Sequence, residues 1–334
     1  IAGAVSKAMH VTLIGISEKK KEINPESYSL TLRAHHSHLQ MTKESSAVAV
    51  DLYRRAIAID PENARAWAGL AYVYSHRVGY GHAEYDQETP HAKQAADRAI
   101  ALDDNLAEAH LAKHYILLAL ELKVRESVTE IRRAHELAPS DSTITSCLAS
   151  CEFIFGNFDR AITLGKAAVE LDPLNPTACR ELGRIFGCAG RHSEARETLL
   201  RALELSPDMT ALHLALGYSA LVEGNLAEAR NAMEKERTTG FRYCGLAQVA
   251  FAEGNREESD LHLAALIALG ENWAFQIANV LAYRGEVNEA FEWLEIGYAA
   301  RDAGIPLTKV VPFLKSLHTD PRWPVFLKKI GLDD

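Results

Sequence analysis

The residues best equipped for chemistry occur in short pairs. His35, His36 and His38 form the run H-H-S-H, and His35 and His38 would share one face of a helix. Convergent imidazoles invite a metal ion. A zinc site, however, takes three or four ligands with outer support, and only two converge within that helix. The pair therefore reads as polar lining. Cys147 and Cys151, four residues apart, would suit a thiol switch, but cysteine commonly fills packed helices as a small apolar residue. Arg180 and Arg184 have the same spacing, and two guanidinium groups on one helical face can receive a carboxylate. The segment 75–91 gathers His76, His82, Glu84, Asp86, Glu88 and His91 with Tyr80 and Tyr85. It could form a lid or an extended helix–helix connection, and the second reading is favoured.

None of these pairs is completed into a catalytic set. The sequence contains no G-x-x-x-x-G-K, no H-E-x-x-H and no G-x-S-x-G, and its scattered carboxylates single out no acid–base couple. No enzymatic activity, cofactor or metal is expected. The 36 basic and 45 acidic residues leave a net charge of −9, and the basic run Lys19 to Lys21 is bracketed by Glu18 and Glu22. Neutralising phosphates needs clustered Lys and Arg, so nucleic acid is not an expected partner. No apolar stretch reaches the roughly 18–20 residues needed to cross a bilayer. Five cysteines make no disulfide framework and suit a reducing, cytoplasmic setting.

The elements that position these residues are set by a period. Gly156, Gly190 and Gly224 stand 34 residues apart, as do Pro139, Pro173 and Pro207. A fixed period of this size means stacked units, each burying its apolar face against its neighbours. Numbering a unit from Ser142, small residues fall at positions 8, 20 and 27, where paired helices must approach closely (Ala149, Ala161, Ala168; then Gly183, Ala195, Ala202). Glycine at position 15 suits the left-handed residue that closes a helix. Proline at position 32 ends the second helix, and Asn63, Asp141 or Asn175 at position 34 can cap the next.

This register, together with W-A-G-L-A-Y-V-Y at 67–74 and D-L-Y-R-R-A-I-A-I-D-P at 51–61, resembles the tetratricopeptide repeat. The resemblance implies an all-α, right-handed α–α superhelix of about eight helix hairpins. Their first helices would start near 27, 64, 107, 142, 176, 210, 241 and 272. Some units depart from the pattern. The second carries an insertion of about nine residues before Ala92, and Lys113 and His114 replace the usual Leu-Gly in the third. Glu236 occupies a small-residue position, and the glycine spacing shortens towards Gly254 and Gly285.

In this family, first-helix positions 2, 5, 9 and 12 face the concave side. Projected onto the chain, they offer His35, His38, Tyr72, Tyr115, Phe153, Arg180, Arg184, Tyr218, Phe251 and Asn279 as groove residues. Tyrosine supplies contact area plus a hydrogen bond, a composition suited to an extended or helical peptide. Arg180 and Arg184 would anchor an acidic partner, unless they merely pair with nearby acids such as Glu181 or Glu204.

Three segments are expected: an N-terminal helix and charged linker at 1–24, the solenoid at 25–300 and a capping segment at 301–334. In the last, Phe313, Leu314, Leu317, Trp323, Phe326 and Leu327 suit a helix pair folded over the final repeat. The chain begins with Ile1 rather than Met, which suggests a processed product or part of a longer polypeptide. Both ends, with Q-I-A at 276–278 and A-Y-R-G-E-x-x-x-A-F-E-W-L-E at 282–295, look similar to the C-terminal repeats of bacterial multidomain regulators. In those proteins a class III nucleotide cyclase or a winged-helix domain precedes the repeats. The expected function is a protein-interaction scaffold with a peptide or helix in its groove; the alternative is a regulatory module of such a cyclase or transcription factor. Self-pairing into a homodimer through the solenoid ends is a third option.

Overall fold

The computed structural model describes residues 24–38, 42–79 and 82–333. The expected helix at 1–16, its linker and Tyr80 lie outside them. Among the described residues eight helix hairpins follow one another. They pair α1 (Pro25–His38) with α2 (Lys43–Ile59), α3 (Ala64–Gly79) with α4 (Tyr85–Leu102), and α5 (Ala107–Tyr115) with α6 (Val124–Leu137). Next come α7 (Ser142–Ile154) with α8 (Phe158–Leu171), and α9 (Pro176–Cys188) with α10 (His192–Leu205). The last three are α11 (Leu212–Val222) with α12 (Leu226–Lys235), α13 (Thr239–Ala252) with α14 (Arg256–Ile267), and α15 (Ala274–Tyr283) with α16 (Val287–Ala300). The fold is an all-α solenoid of the tetratricopeptide type.

The repeated residues do the work their positions suggest. Gly156, Gly190 and Gly224 take φ of 86°, 75° and 78°, turning the chain between the two helices of a unit. Asn175 accepts from the amides of Thr177 and Ala178 at 3.0 and 3.1 Å, capping α9, while its Nδ2 donates to Ser142 Oγ of the preceding unit at 3.1 Å. Asn63 does the same three units earlier, accepting from Ala66 N at 3.1 Å and donating to Ser27 Oγ at 2.9 Å. One side chain thus starts a helix and ties it to its neighbour. Ala161, Ala168, Ala195 and Ala202 are fully buried at the helix crossings.

Each irregular unit has a compensating device. In the second unit the insertion lengthens the helices instead of forming a long loop. α3 and α4 have 16 and 18 residues, against 13 and 14 in α9 and α10. Arg77 Nε clamps both carboxylate oxygens of Glu88 at 3.0 and 2.8 Å, pinning the lengthened ends together. The third unit runs 35 residues from Ala107 to Ser142, one more than the period, and absorbs the extra residue in a π-helix at Ile116–Leu120. His114, in place of the usual glycine, is buried and bonded through Nδ1 to Ser127 O at 3.1 Å. Leu122, with φ 52°, provides the left-handed turn that glycine makes elsewhere. Glu236 is buried and accepts from the amides of Leu214 (3.2 Å) and Thr238 (3.0 Å). It supplies the cap that Met209, at position 34, cannot give α11.

The C-terminal segment is not a helix pair on the last repeat alone. It consists of 3-10 turns at Ile305–Leu307 and Pro312–Leu317 followed by α17 (Arg322–Lys329). Asp302 opens it, accepting from Phe275 N at 2.9 Å and Gly304 N at 2.8 Å and so capping α15. Burial pushes its carboxyl up to about 6 despite those two bonds. From there Trp323, Phe326, Ile330 and Leu332 join one apolar cluster with Leu122, Val124, Phe153 and Phe186 of units three to five.

Candidate functional site

Residues of the first helices form a continuous strip from unit one to unit five. At its start His38 Nε2 lies 3.2 Å from His76 Nδ1, so one imidazole donates to the other. Tyr72 packs on His76 (ring centroids 4.2 Å apart), Tyr115 sits edge-on to both Tyr72 and His76 at 5.0 Å, and His38 meets Tyr72 at 5.4 Å. The Tyr115 hydroxyl reaches Cys147 Sγ at 3.2 Å. Burial, and then the neighbouring His35, pulls His38 down to about 4; burial, and then His38, pulls His76 down to about 3. Both rings are therefore neutral at neutral pH. His38 Nδ1 is buried without a hydrogen-bond partner among the described residues. His35, on the same helix, is exposed.

The strip continues into a charged cluster. Glu181 lies between Arg180 and Arg184, with Arg180 Nη2 at 3.1 Å on one oxygen and Arg184 Nη2 on the other, where Ser150 Oγ also donates at 3.2 Å. Burial opposes its ionisation, but Arg184, Arg180 and Ser150 together hold the Glu181 carboxyl down to about 2. The carboxylate for which the two arginines are spaced is thus supplied in part from within. Two cations face one anion, leaving a surplus positive charge. The Arg184 guanidinium lies 4.7 Å over the fully buried Phe153 ring, and its Nη1 is buried with no partner among the described residues. Arg180 Nη1 makes only a long bond, 3.4 Å, to Thr210 O.

The remaining three projected residues are separated from this strip. Tyr218 donates to or accepts from Cys244 Sγ at 3.3 Å and stacks on Phe313 of the C-terminal segment at 4.5 Å. Phe251 is half-buried, flanked by the guanidiniums of Arg256 and Arg284 at 5.8 and 5.9 Å. Asn279 is buried, and its Nδ2 bonds Phe275 O within its own helix at 2.7 Å. Sequence reasoning missed His76, which falls one helical turn after Tyr72 and had been assigned to a connection. It assigned Phe313 to the capping segment but not to the place between Tyr218 and Tyr283, which are remote in sequence.

Cys147 and Cys151 sit among packed helices. Burial pushes Cys147 up to about 12, and Cys151 lies deeper still and is also pushed upward. Among the described residues no group of three or more His, Cys, Asp or Glu could hold a metal ion, and no helix is long and apolar enough to cross a membrane.

Two tetratricopeptide-repeat family profiles match the chain, at residues 52–87 and 180–238. Both segments match the tetratricopeptide repeat, in keeping with the solenoid they belong to. The chain's relatives include anaphase-promoting complex subunit 7 of Dictyostelium discoideum, 24% identical over 221 residues, or 65% of this chain and 36% of that protein. The CTR9 homolog of Arabidopsis thaliana is 23% identical over 211 residues, 62% of this chain and 19% of that protein. The chain thus spans a minor part of both relatives. Among solved structures, the Cut9–Hcn1 hetero-tetramer of the APC/C superposes with a TM-score of 0.59 at 16% identity, covering 86% of this chain and 55% of that one. The human IFIT1 dimer with PPP-AAAA gives 0.59 at 16% identity, covering 81% and 72%. At such identities the likeness establishes the repeat fold. The expected similarity to cyclase-type and winged-helix regulators has no counterpart among these relatives.

Proposed function

We propose that the chain is a non-catalytic scaffold that receives a peptide segment in its concave groove, with an acidic side chain of the partner at Arg180 and Arg184. The observation that carries this reading is the Arg180–Glu181–Arg184 cluster. It keeps one positive charge in surplus and one buried guanidinium nitrogen unsatisfied, at the end of an aromatic strip. A bidentate carboxylate is the natural complement of such a donor set. Tyr72 and Tyr115 would supply contact area along the peptide.

The test is a binding assay on an array of acidic peptides with three proteins side by side. Arg180→Glu with Arg184→Glu should abolish capture, and Glu181→Gln, which releases both guanidiniums, should tighten it by about tenfold, a change of about 1.4 kcal/mol. Equal capture by all three would refute the anchor. Nothing in the groove favours the regulatory-module alternative over peptide binding.

A further inference from the structure

The concave side of the later units is already occupied, and the occupant is the chain itself. Phe313 sits between Tyr218 of unit six and Tyr283 of unit eight, at ring-centroid distances of 4.5 and 5.5 Å. Ser316 Oγ donates to Ala282 O at 2.6 Å. Gly304 lies so close to Phe275 that an added Cβ would fall 2.2 Å from its ring. Tyr218 is one of the positions through which a repeat of this type would meet a foreign peptide, and Phe275 lies on the first helix of unit eight.

The far end of the same segment reaches the other side of the molecule. Leu332 is fully buried in the cluster that contains Leu122 and Val124. Arg125 Nη2 bonds the carboxylate of Asp333 at 2.8 Å, across 208 residues of sequence. At the near end the Arg301 guanidinium lies 4.4 Å over the ring of Tyr85 in unit two, and Tyr85 in turn donates to Leu120 O of the π-helix at 3.0 Å. Unit eight is thus bound to units two and three around the hairpin that carries the π-helix. The π-helix and the left-handed Leu122 shape the edge that receives Leu332.

We infer that residues 302–333 form an intramolecular strap. It fills the groove of units six to eight, closes the solenoid against unit three, and confines an incoming partner to the strip from His38 to Arg184. Its grip is mainly apolar. The Arg125 and Asp333 side chains are 56% and 41% exposed, so their ion pair contributes orientation more than strength, whereas Leu332 and Phe313 are buried. The strap does not depend on the acidic-anchor reading, because its test needs no partner.

Hydrogen exchange read by mass spectrometry on the full chain tests it. In the Arg125→Ala, Leu332→Ala double variant, exchange should rise about tenfold in 312–333 and in Ile116–Leu120 together while α7 to α10 keep their protection. Phe313→Ala should release the same segment from its other end. Unchanged exchange would overturn the strap. A uniform rise through all eight units would do so as well, since the segment would then be part of one cooperative core. As a second readout, a labelled peptide of residues 305–333 should bind the double variant at least tenfold more tightly than the parent, and equal binding to both, or to neither, would refute an exchangeable occupant.

Discussion

Two glycines one turn apart in α9 are expected to respond oppositely to the same substitution. A Cβ on Gly183 would lie 2.6 and 2.8 Å from Leu199 Cγ and Cδ2 and 3.3 Å from the Ala195 carbonyl. Leu199 is 1% exposed and cannot swing out, and the carbonyl is fixed by α10. Overpacking of a filled crossing costs about 1–3 kcal/mol, against which alanine gains about 1 kcal/mol of helix propensity over glycine. Gly183→Ala should therefore destabilise by up to about 2 kcal/mol, and Gly183→Leu by more. A Cβ on Gly187 would meet only Ala195 Cβ at 3.8 Å, an ordinary contact. There the propensity gain stands nearly alone, and Gly187→Ala should stabilise by about 0.5–1 kcal/mol. Urea unfolding followed by far-UV circular dichroism measures both, with hydrogen exchange across α9 and α10 as the local check, because stacked repeats need not unfold in one step. A Gly183→Ala variant as stable as Gly187→Ala would refute the close crossing and the register on which it rests.

Other expectations rest on buried polar groups and backbone strain. His38 and His114 are held down to about 4 and His76 to about 3, chiefly by burial, from an ordinary 6.5. Folding therefore favours the neutral rings: their contribution is complete above pH 6.5 and is lost progressively as pH falls from 6.5 towards 4. Urea midpoints over that range should fall steeply, and a His38→Gln, His76→Gln variant should show a shallower slope. Glu236→Ala leaves the buried amide of Leu214 unpaired and should cost about 1–3 kcal/mol in the same assay. Ala211 precedes α11 at φ 66°, a left-handed conformation that glycine adopts without strain, so Ala211→Gly should raise stability by about 0.5 kcal/mol, read as a shift in the urea midpoint.

What was legible in the sequence is what repeats locally. The hairpin register can be read from Gly156, Gly190 and Gly224 because a left-handed turn restricts residue choice at one position, whatever lies around it. Asn63, Asp141 and Asn175 are readable for the same reason, since a capping side chain acts on amides two or three residues away. The lengthened second unit was visible as a count, but a count does not say whether extra residues enter a loop or helices. The Arg77–Glu88 clamp that decides it joins two helices. Glu236 looked like a defect at a small-residue position, although it repairs a missing cap on another helix.

The same physical distinction explains why the groove was the least legible part. Projecting concave positions one helix at a time assumes that each faces open space, and that holds only where no other segment of the chain has settled on them. Tyr72 and Tyr218 hold equivalent places in their units, yet one belongs to a strip of neighbouring first helices and the other lies under Phe313. No local rule separates them, because the difference comes from a segment that follows the last repeat and returns across the whole solenoid to Arg125. A repeat motif thus identifies which residues could meet a partner, while the path of the chain after the repeats decides which of them do. On the proposed reading, that leaves units one to five for recognition, where the histidine–tyrosine strip ends at the surplus guanidinium beside Glu181.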